Sequence, residues 1–155
     1  MTASERSSRG SIASRLTGVW TIVGYAHQQV GHEDSYPFGD QPDGFLIYTP
    51  EGFVSAQLMK PGRPRFQSAD WHEGSPKEYA ESGSGYIAYC GVFEVDEEQE
   101  TVTHIPSVAL LPNLIHGRQL RLVTVSGETL TLRTASSPET NGVTSVMHWK
   151  RASSA

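Results

Sequence analysis

Three residues of this 155-residue chain, His104, Tyr89 and Arg121, have the types that perform chemistry inside a protein. An imidazole moves protons near neutral pH, a phenol donates to a carbonyl, and a guanidinium holds a carboxylate or a developing enolate. They lie far apart along the chain, so only pairing of the segments that carry them can make them one site. Converged, they suit cofactor-free isomerisation or cyclisation by proton transfer, or contact with a bound small molecule. Scattered, they are a core histidine, a packing phenol and half of a structural ion pair. Phe93, Tyr48 and Trp149 are further candidate ligand contacts.

Other chemistries find less support. His32-Glu33-Asp34 and Asp70-Trp71-His72-Glu73 hold metal-ligating types without the recurring spacing of a zinc or iron site, so no metal is expected. His116 and His148 are isolated. Cys90 follows Tyr89 on a segment with strand periodicity and points to the opposite face, away from an assumed pocket. No serine sits in a nucleophile elbow, and Gly83-Ser84-Gly85 follows a helix signal where a phosphate loop would precede one. No cofactor is expected either. Arg63, Arg65, Phe66 and Trp71 in one long loop either clamp an anionic or aromatic ligand or, more simply, pin the loop and meet solvent.

The elements that must position these groups are strands. Runs of strand periodicity cover 16–28, 44–49, 53–60, 86–95, 101–111, 118–125, 128–134 and 143–151, separated by turns such as Thr49-Pro50-Glu51-Gly52, Asp96-Glu97-Glu98-Gln99 and Ser126-Gly127. Gly24 marks a bend in the first. One helix is expected, between the third and fourth strands, where Ser75-Pro76-Lys77-Glu78 offers a capping serine, a first-turn proline and a reciprocal glutamate, with Gly83 and Gly85 to stop it. That helix and the loop before it are a candidate lid. Eight antiparallel strands leave two bare edges unless the sheet closes, and a closed sheet of about eight strands has room for one small ligand.

Hairpin arithmetic then places side chains. Pairing Val95 with Val102 pairs Phe93 with His104 and Gly91 with Pro106, puts Tyr89 near Val108, and turns Tyr89, Phe93 and His104 inward. A two-residue turn at Ser126-Gly127 sets Val125 opposite Glu128, Val123 opposite Leu130 and Arg121 opposite Leu132, which puts Arg121 on the apolar face. In the 44–60 hairpin, Tyr48, Leu46, Val54 and Ala56 share one face and Ile47, Ser55, Gln57 and Met59 the other, with either able to line a cavity. Trp20 and Arg151 meet if the first and last strands pair, and a guanidinium stacked on an indole seals that end.

The bulk properties set limits. The length suits one domain: a lead-in without structure over 1–14, a barrel over 15–151 and a frayed tail over 152–155. A net charge of −5 with 12 lysines and arginines spread along the chain lacks the basic face that nucleic acid requires. A single cysteine excludes an internal disulfide and fits a reducing, cytoplasmic setting. The N-terminal residues hold no apolar run able to act as a signal core or cross a bilayer.

Gly18-Val19-Trp20 at the start of the first strand and Trp149-Lys150-Arg151 at the end of the last are similar to the Gly-x-Trp and terminal arginine of lipocalin-type barrels. With Gly44-Phe45-Leu46-Ile47-Tyr48-Thr49 and Gly52, Tyr86-Ile87-Ala88-Tyr89-Cys90-Gly91, Val102-Thr103-His104, Leu111-Pro112-Asn113 and Arg121, the chain resembles the intracellular lipocalin-like family of bacteria and fungi over nearly its whole length. The resemblance implies an all-β, eight-stranded up-and-down barrel. It leaves open whether members carry hydrophobic molecules or convert intermediates of secondary metabolism. The combined expectation is a monomer or weak homodimer that encloses a small hydrophobic molecule with a polar or acidic group. The alternatives are an isomerase or cyclase acting on a polyketide-like intermediate through His104, Tyr89 and Arg121, and an interaction module with a filled core.

Overall fold

A computed structural model describes residues 10–153. Eight antiparallel strands close into a barrel in strict chain order: β1 (Gly18–Gln28), β2 (Asp43–Tyr48), β3 (Phe53–Met59), β4 (Tyr86–Asp96), β5 (Thr101–Ala109), β6 (Gln119–Ser126), β7 (Thr129–Arg133) and β8 (Thr144–Arg151). Side chains alternate between lumen and solvent, so the burial of Val54, Ala56 and Leu58 on β3 marks the inward positions. On β2 the same face carries Leu46 and Tyr48, which decides the face of that hairpin the sequence left open. Among the described residues no helix is long and apolar enough to cross a membrane.

Local chemistry sets the turns. Gly52 takes a left-handed φ of 91° and its N–H closes the turn on the Thr49 carbonyl. Asp96 Oδ1 accepts from the N–H groups of Glu98 and Gln99 and bends the chain between β4 and β5. β1 shifts register against β8 between Ile22 and Gly24, the bend expected at that glycine.

Two registers differ from expectation. Val125 pairs with Leu130 and Val123 with Leu132, because the β6–β7 turn is centred on Gly127 and Glu128 rather than Ser126 and Gly127. The slip is two residues, so Arg121 keeps its inward face. In the β4–β5 hairpin, Phe93 pairs with His104 and Gly91 with Pro106, but Tyr89 pairs with Ala109 instead of Val108. Cys90 pairs with Val108 and Gly91 with Pro106, so Ser107 of β5 is the extra residue of a bulge. Gly91 is required there, because a Cβ would strike the Ile105 carbonyl.

The base of the barrel holds a helix that the sequence reading missed. Residues 10–14 belong to an ordered segment in which α1 (Ile12–Leu16) buries Ile12 and Leu16 in the core, so the expected unstructured lead-in is corrected there; residues 1–9 lie outside the described residues. At five residues α1 is too short to be stable alone. Tertiary partners satisfy its ends. Glu97, in the β4–β5 turn, accepts from the N–H groups of Ile12 (2.8 Å) and Ala13 (3.2 Å). At the other end, Trp20 Nε1 donates to the Leu16 carbonyl at 2.8 Å, and Arg151 donates to the carbonyls of Thr17 (3.0 Å) and Arg15 (2.9 Å). The Arg151 guanidinium also lies 4.1 Å from the Trp20 ring centre, as the pairing of Trp20 with Arg151 predicts. The chain stays tied one residue past β8, where Ala152 N–H donates to the Val19 carbonyl, so the frayed tail begins no earlier than Ser153, with 154–155 outside the described residues.

α2 (Pro76–Ser84) follows β3 with the full reciprocal cap between Ser75 and Glu78, passes through Gly83 and stops at Gly85. The loop before it is held differently than expected. Phe66 packs edge-on against Tyr79 of α2, and Arg63 lies over Tyr86 and donates to the Ser82 carbonyl. Trp71 pins nothing to the barrel; it is 72% exposed and stacks on His72.

Candidate functional site

The barrel is not packed solid. A cavity of about 180 Å³ lies between Leu46, Ala56, Leu58, Ile87, Leu132 and Met147. It exceeds the ~150 Å³ hollow that accepts a single benzene ring in an engineered protein core. α1, Trp20 and Arg151 close the barrel below. At the opposite end the cavity is lined by Leu111 and Leu114 of the β5–β6 connection, with Gln119, Thr134 and Ser145. Neither α2 nor its preceding loop, the expected lid, contributes a lining residue; Leu111 and Leu114, at the 3-10 turn Pro112–Leu114 of the β5–β6 connection, line the cavity instead.

Three of the polar groups in this apolar hollow are His104, Tyr89 and Arg121, which the structure brings together from β5, β4 and β6. His104 is 1% exposed, and both of its ring nitrogens meet a phenol: Nε2 lies 2.7 Å from the Tyr48 hydroxyl and Nδ1 2.7 Å from the Tyr89 hydroxyl. Burial lowers the imidazole pKa to about 3, and the nearby positive charge of Arg121 pushes the same way. His104 is therefore neutral at physiological pH, with one ring nitrogen donating and the other accepting. At physiological pH it is a neutral link between two phenols. Burial likewise raises the pKa of Tyr48 and of Tyr89, so both phenols keep their protons.

Arg121 is half-buried and has no carboxylate partner among the described residues. It donates to its neighbour's carbonyl at Leu120 (2.8 Å) and reaches Gln119 Oε1 at 3.5 Å. Its charge faces an apolar hollow, a costly arrangement unless water or a ligand meets it. Trp149 on β8 also lines the cavity; it is 1% exposed, and its Nε1–H finds no acceptor. Buried donors are paired in the great majority of cases, which makes this indole N–H an exception in the wall of the cavity.

Of the six predicted contacts, Tyr89, His104, Arg121 and Trp149 line the cavity, while Tyr48 and Phe93 do not. Those two are corrected to the packing beneath it, where their rings meet edge to face at 4.9 Å and Tyr48 supports His104. The reason is depth: both have inward parity, but they sit close to the base. Tyr25 was missed; it lines the cavity from β1 while its hydroxyl meets His27 Nε2 at 2.9 Å. Val23 is the extra residue of the β1 bulge, so alternation carried from Trp20 and Ile22 puts Tyr25 outward and only the structure turns it in. Ile87, Leu58 and Met147 went unnamed because apolar inward residues are common to core and pocket alike.

Elsewhere, Cys90 is exposed, and His148 faces outward against the Thr131 hydroxyl. Among the described residues no cluster of three or more histidine, cysteine or acidic side chains is placed to hold a metal.

One relative is a 4'-hydroxy-3'-methoxypropiophenone carrier protein of Aspergillus oryzae, 30% identical over 106 residues that span 63% of this chain and 96% of the relative. The lipocalin-like domain matches residues 17–152, nearly the whole barrel together with the closing Trp149 to Arg151 stretch, and on that match the chain belongs to the lipocalin-like domain family.

Proposed function

We propose that this protein is a carrier that takes a small, largely hydrophobic molecule bearing polar oxygen into its barrel. The observation that carries the reading is the hollow of about 180 Å³, whose walls are apolar apart from a few groups, among them the Arg121 guanidinium, which has no carboxylate partner among the described residues, and an unpaired indole N–H at Trp149. Apolar walls supply affinity through desolvation, and the polar groups fix orientation. The volume suits one substituted aromatic ring or a short acyl chain. The Aspergillus oryzae relative, named as carrier of an aromatic ketone, supports the same ligand size and character.

The isomerase or cyclase reading is less favoured. A neutral imidazole with both nitrogens engaged is a poor general base at physiological pH. A filled interaction module disagrees with the cavity itself.

The test uses 4'-hydroxy-3'-methoxypropiophenone as the probe, with thermal unfolding and calorimetric titration side by side. Binding raises the unfolding midpoint, by an amount equivalent to about 2.7 kcal/mol at a hundredfold excess over Kd, and the probe is recovered unchanged. An unmoved midpoint across this ketone and simple alkylbenzenes rejects the carrier reading. Chemical conversion of the probe supports the enzyme instead.

A further inference from the structure

The hydrogen-bond chain beside the cavity has a direction. The Tyr48 hydroxyl is fully buried, away from the cavity, and has one partner, His104 Nε2. Were Nε2 protonated, Tyr48 would have to accept, and its own proton would be left without an acceptor in a dry core. Tyr48 therefore donates to Nε2, which leaves the imidazole proton on Nδ1. Nδ1–H then donates to the Tyr89 oxygen, which is thereby engaged as an acceptor. No protein acceptor remains for the Tyr89 proton, and the cavity lies beside it.

Trp149 lines the cavity from across the lumen and carries a second donor without an acceptor. β4 and β8 are separated by four positions in a ring of eight, so Tyr89 and Trp149 stand on opposite walls. An indole nitrogen donates and never accepts, and Arg121 likewise offers only donors. Around Tyr89 the cavity thus offers hydrogens, while the acceptor oxygens of Gln119, Thr134 and Ser145 lie towards its open end.

We infer that the Tyr89 hydroxyl is a donor subsite of the cavity selecting an arene that bears a carbonyl or ether oxygen, with Tyr48 as a positioning residue that fixes the Tyr89 proton toward the ligand through His104. This inference rests on the carrier reading and deepens it. A ketone oxygen accepts from Tyr89 at no loss. An alcohol in its place brings a hydrogen that finds no free acceptor beside Tyr89, and a hydrocarbon leaves the Tyr89 proton unpaired.

Three probes with one carbon skeleton separate these cases: propiophenone, 1-phenylpropan-1-ol and propylbenzene, titrated calorimetrically into the whole protein. The expected order of affinity is ketone, alcohol, hydrocarbon, with at least about tenfold between first and last, the equivalent of one hydrogen bond. Tyr89→Phe shrinks the ketone-to-hydrocarbon ratio severalfold. Histidine-selective nitrogen NMR reports the link directly: His104 is expected as the Nδ1–H tautomer in the native chain and as a mixture in Tyr48→Phe. Equal binding of ketone and hydrocarbon, or a native Nε2–H tautomer, overturns the inference and leaves the carrier reading standing. Failure of all three probes to bind overturns the carrier reading and the inference with it.

Discussion

Acidification tests the central pair of hydrogen bonds on His104. The folded chain holds this imidazole at a pKa of about 3, against an ordinary value of 6.5. Between those values the unfolded chain binds one more proton than the folded chain, so stability rises with pH across the interval and is lost as pH falls. The slope for one proton is about 1.4 kcal/mol per pH unit. From neutrality to about pH 5, His104 alone removes roughly 2 kcal/mol, a large share of the stability of a domain this size. The contribution is complete above the ordinary histidine pKa and levels off only below the folded one. Urea unfolding followed by tryptophan fluorescence, on native protein and on His104→Gln, isolates the residue, because every other titrating group is common to both chains. The expected result is a difference in stability that changes by about 2 kcal/mol between pH 8 and pH 5, with the native chain losing more. Parallel stability curves would falsify the placement of a neutral His104 between two phenols.

Three more expectations follow from the base and the turn and bulge glycines. Arg151→Ala removes the stack on Trp20 and the donors to the Arg15 and Thr17 carbonyls, and it should cost about 2–3 kcal/mol in chemical denaturation, with Arg151→Lys recovering only part. Glu97→Ala strips the N-terminal cap of α1 and should lower stability by about 1 kcal/mol, with faster amide exchange confined to α1; exchange that accelerates uniformly through the barrel would contradict a local latch. Gly91→Ala drives a Cβ into the Ile105 carbonyl and should cost about 3 kcal/mol, whereas Gly127→Ala, with open space around it and a φ of 56°, should cost about 1 kcal/mol by the same measurement.

Much of this architecture was legible because a strand's period is two. Once Val95 is set opposite Val102, the inward faces of Phe93, His104 and Tyr89 follow, and a two-residue slip at Gly127 leaves Arg121 on the same side. The α2 cap was readable for a similar reason: Ser75, Pro76 and Glu78 satisfy backbone groups of their own turn. α1 was not readable, because its stability comes from Glu97, Trp20 and Arg151, brought to it from distant parts of the chain. Depth was equally hidden. Alternation assigns a side chain to the lumen but says nothing of whether it meets cavity or packing, and that separates Tyr89 from Tyr48.

The amino-acid order alone determined the number of strands, their antiparallel succession and the inward face of His104, Tyr89 and Arg121, since these depend on short-range periodicity and turn stereochemistry. The tertiary structure decided the charge state of His104 and which donors stay free. Protonation and pairing depend on how completely water is excluded and on which groups from other strands arrive within hydrogen-bonding reach, and both are properties of the closed barrel.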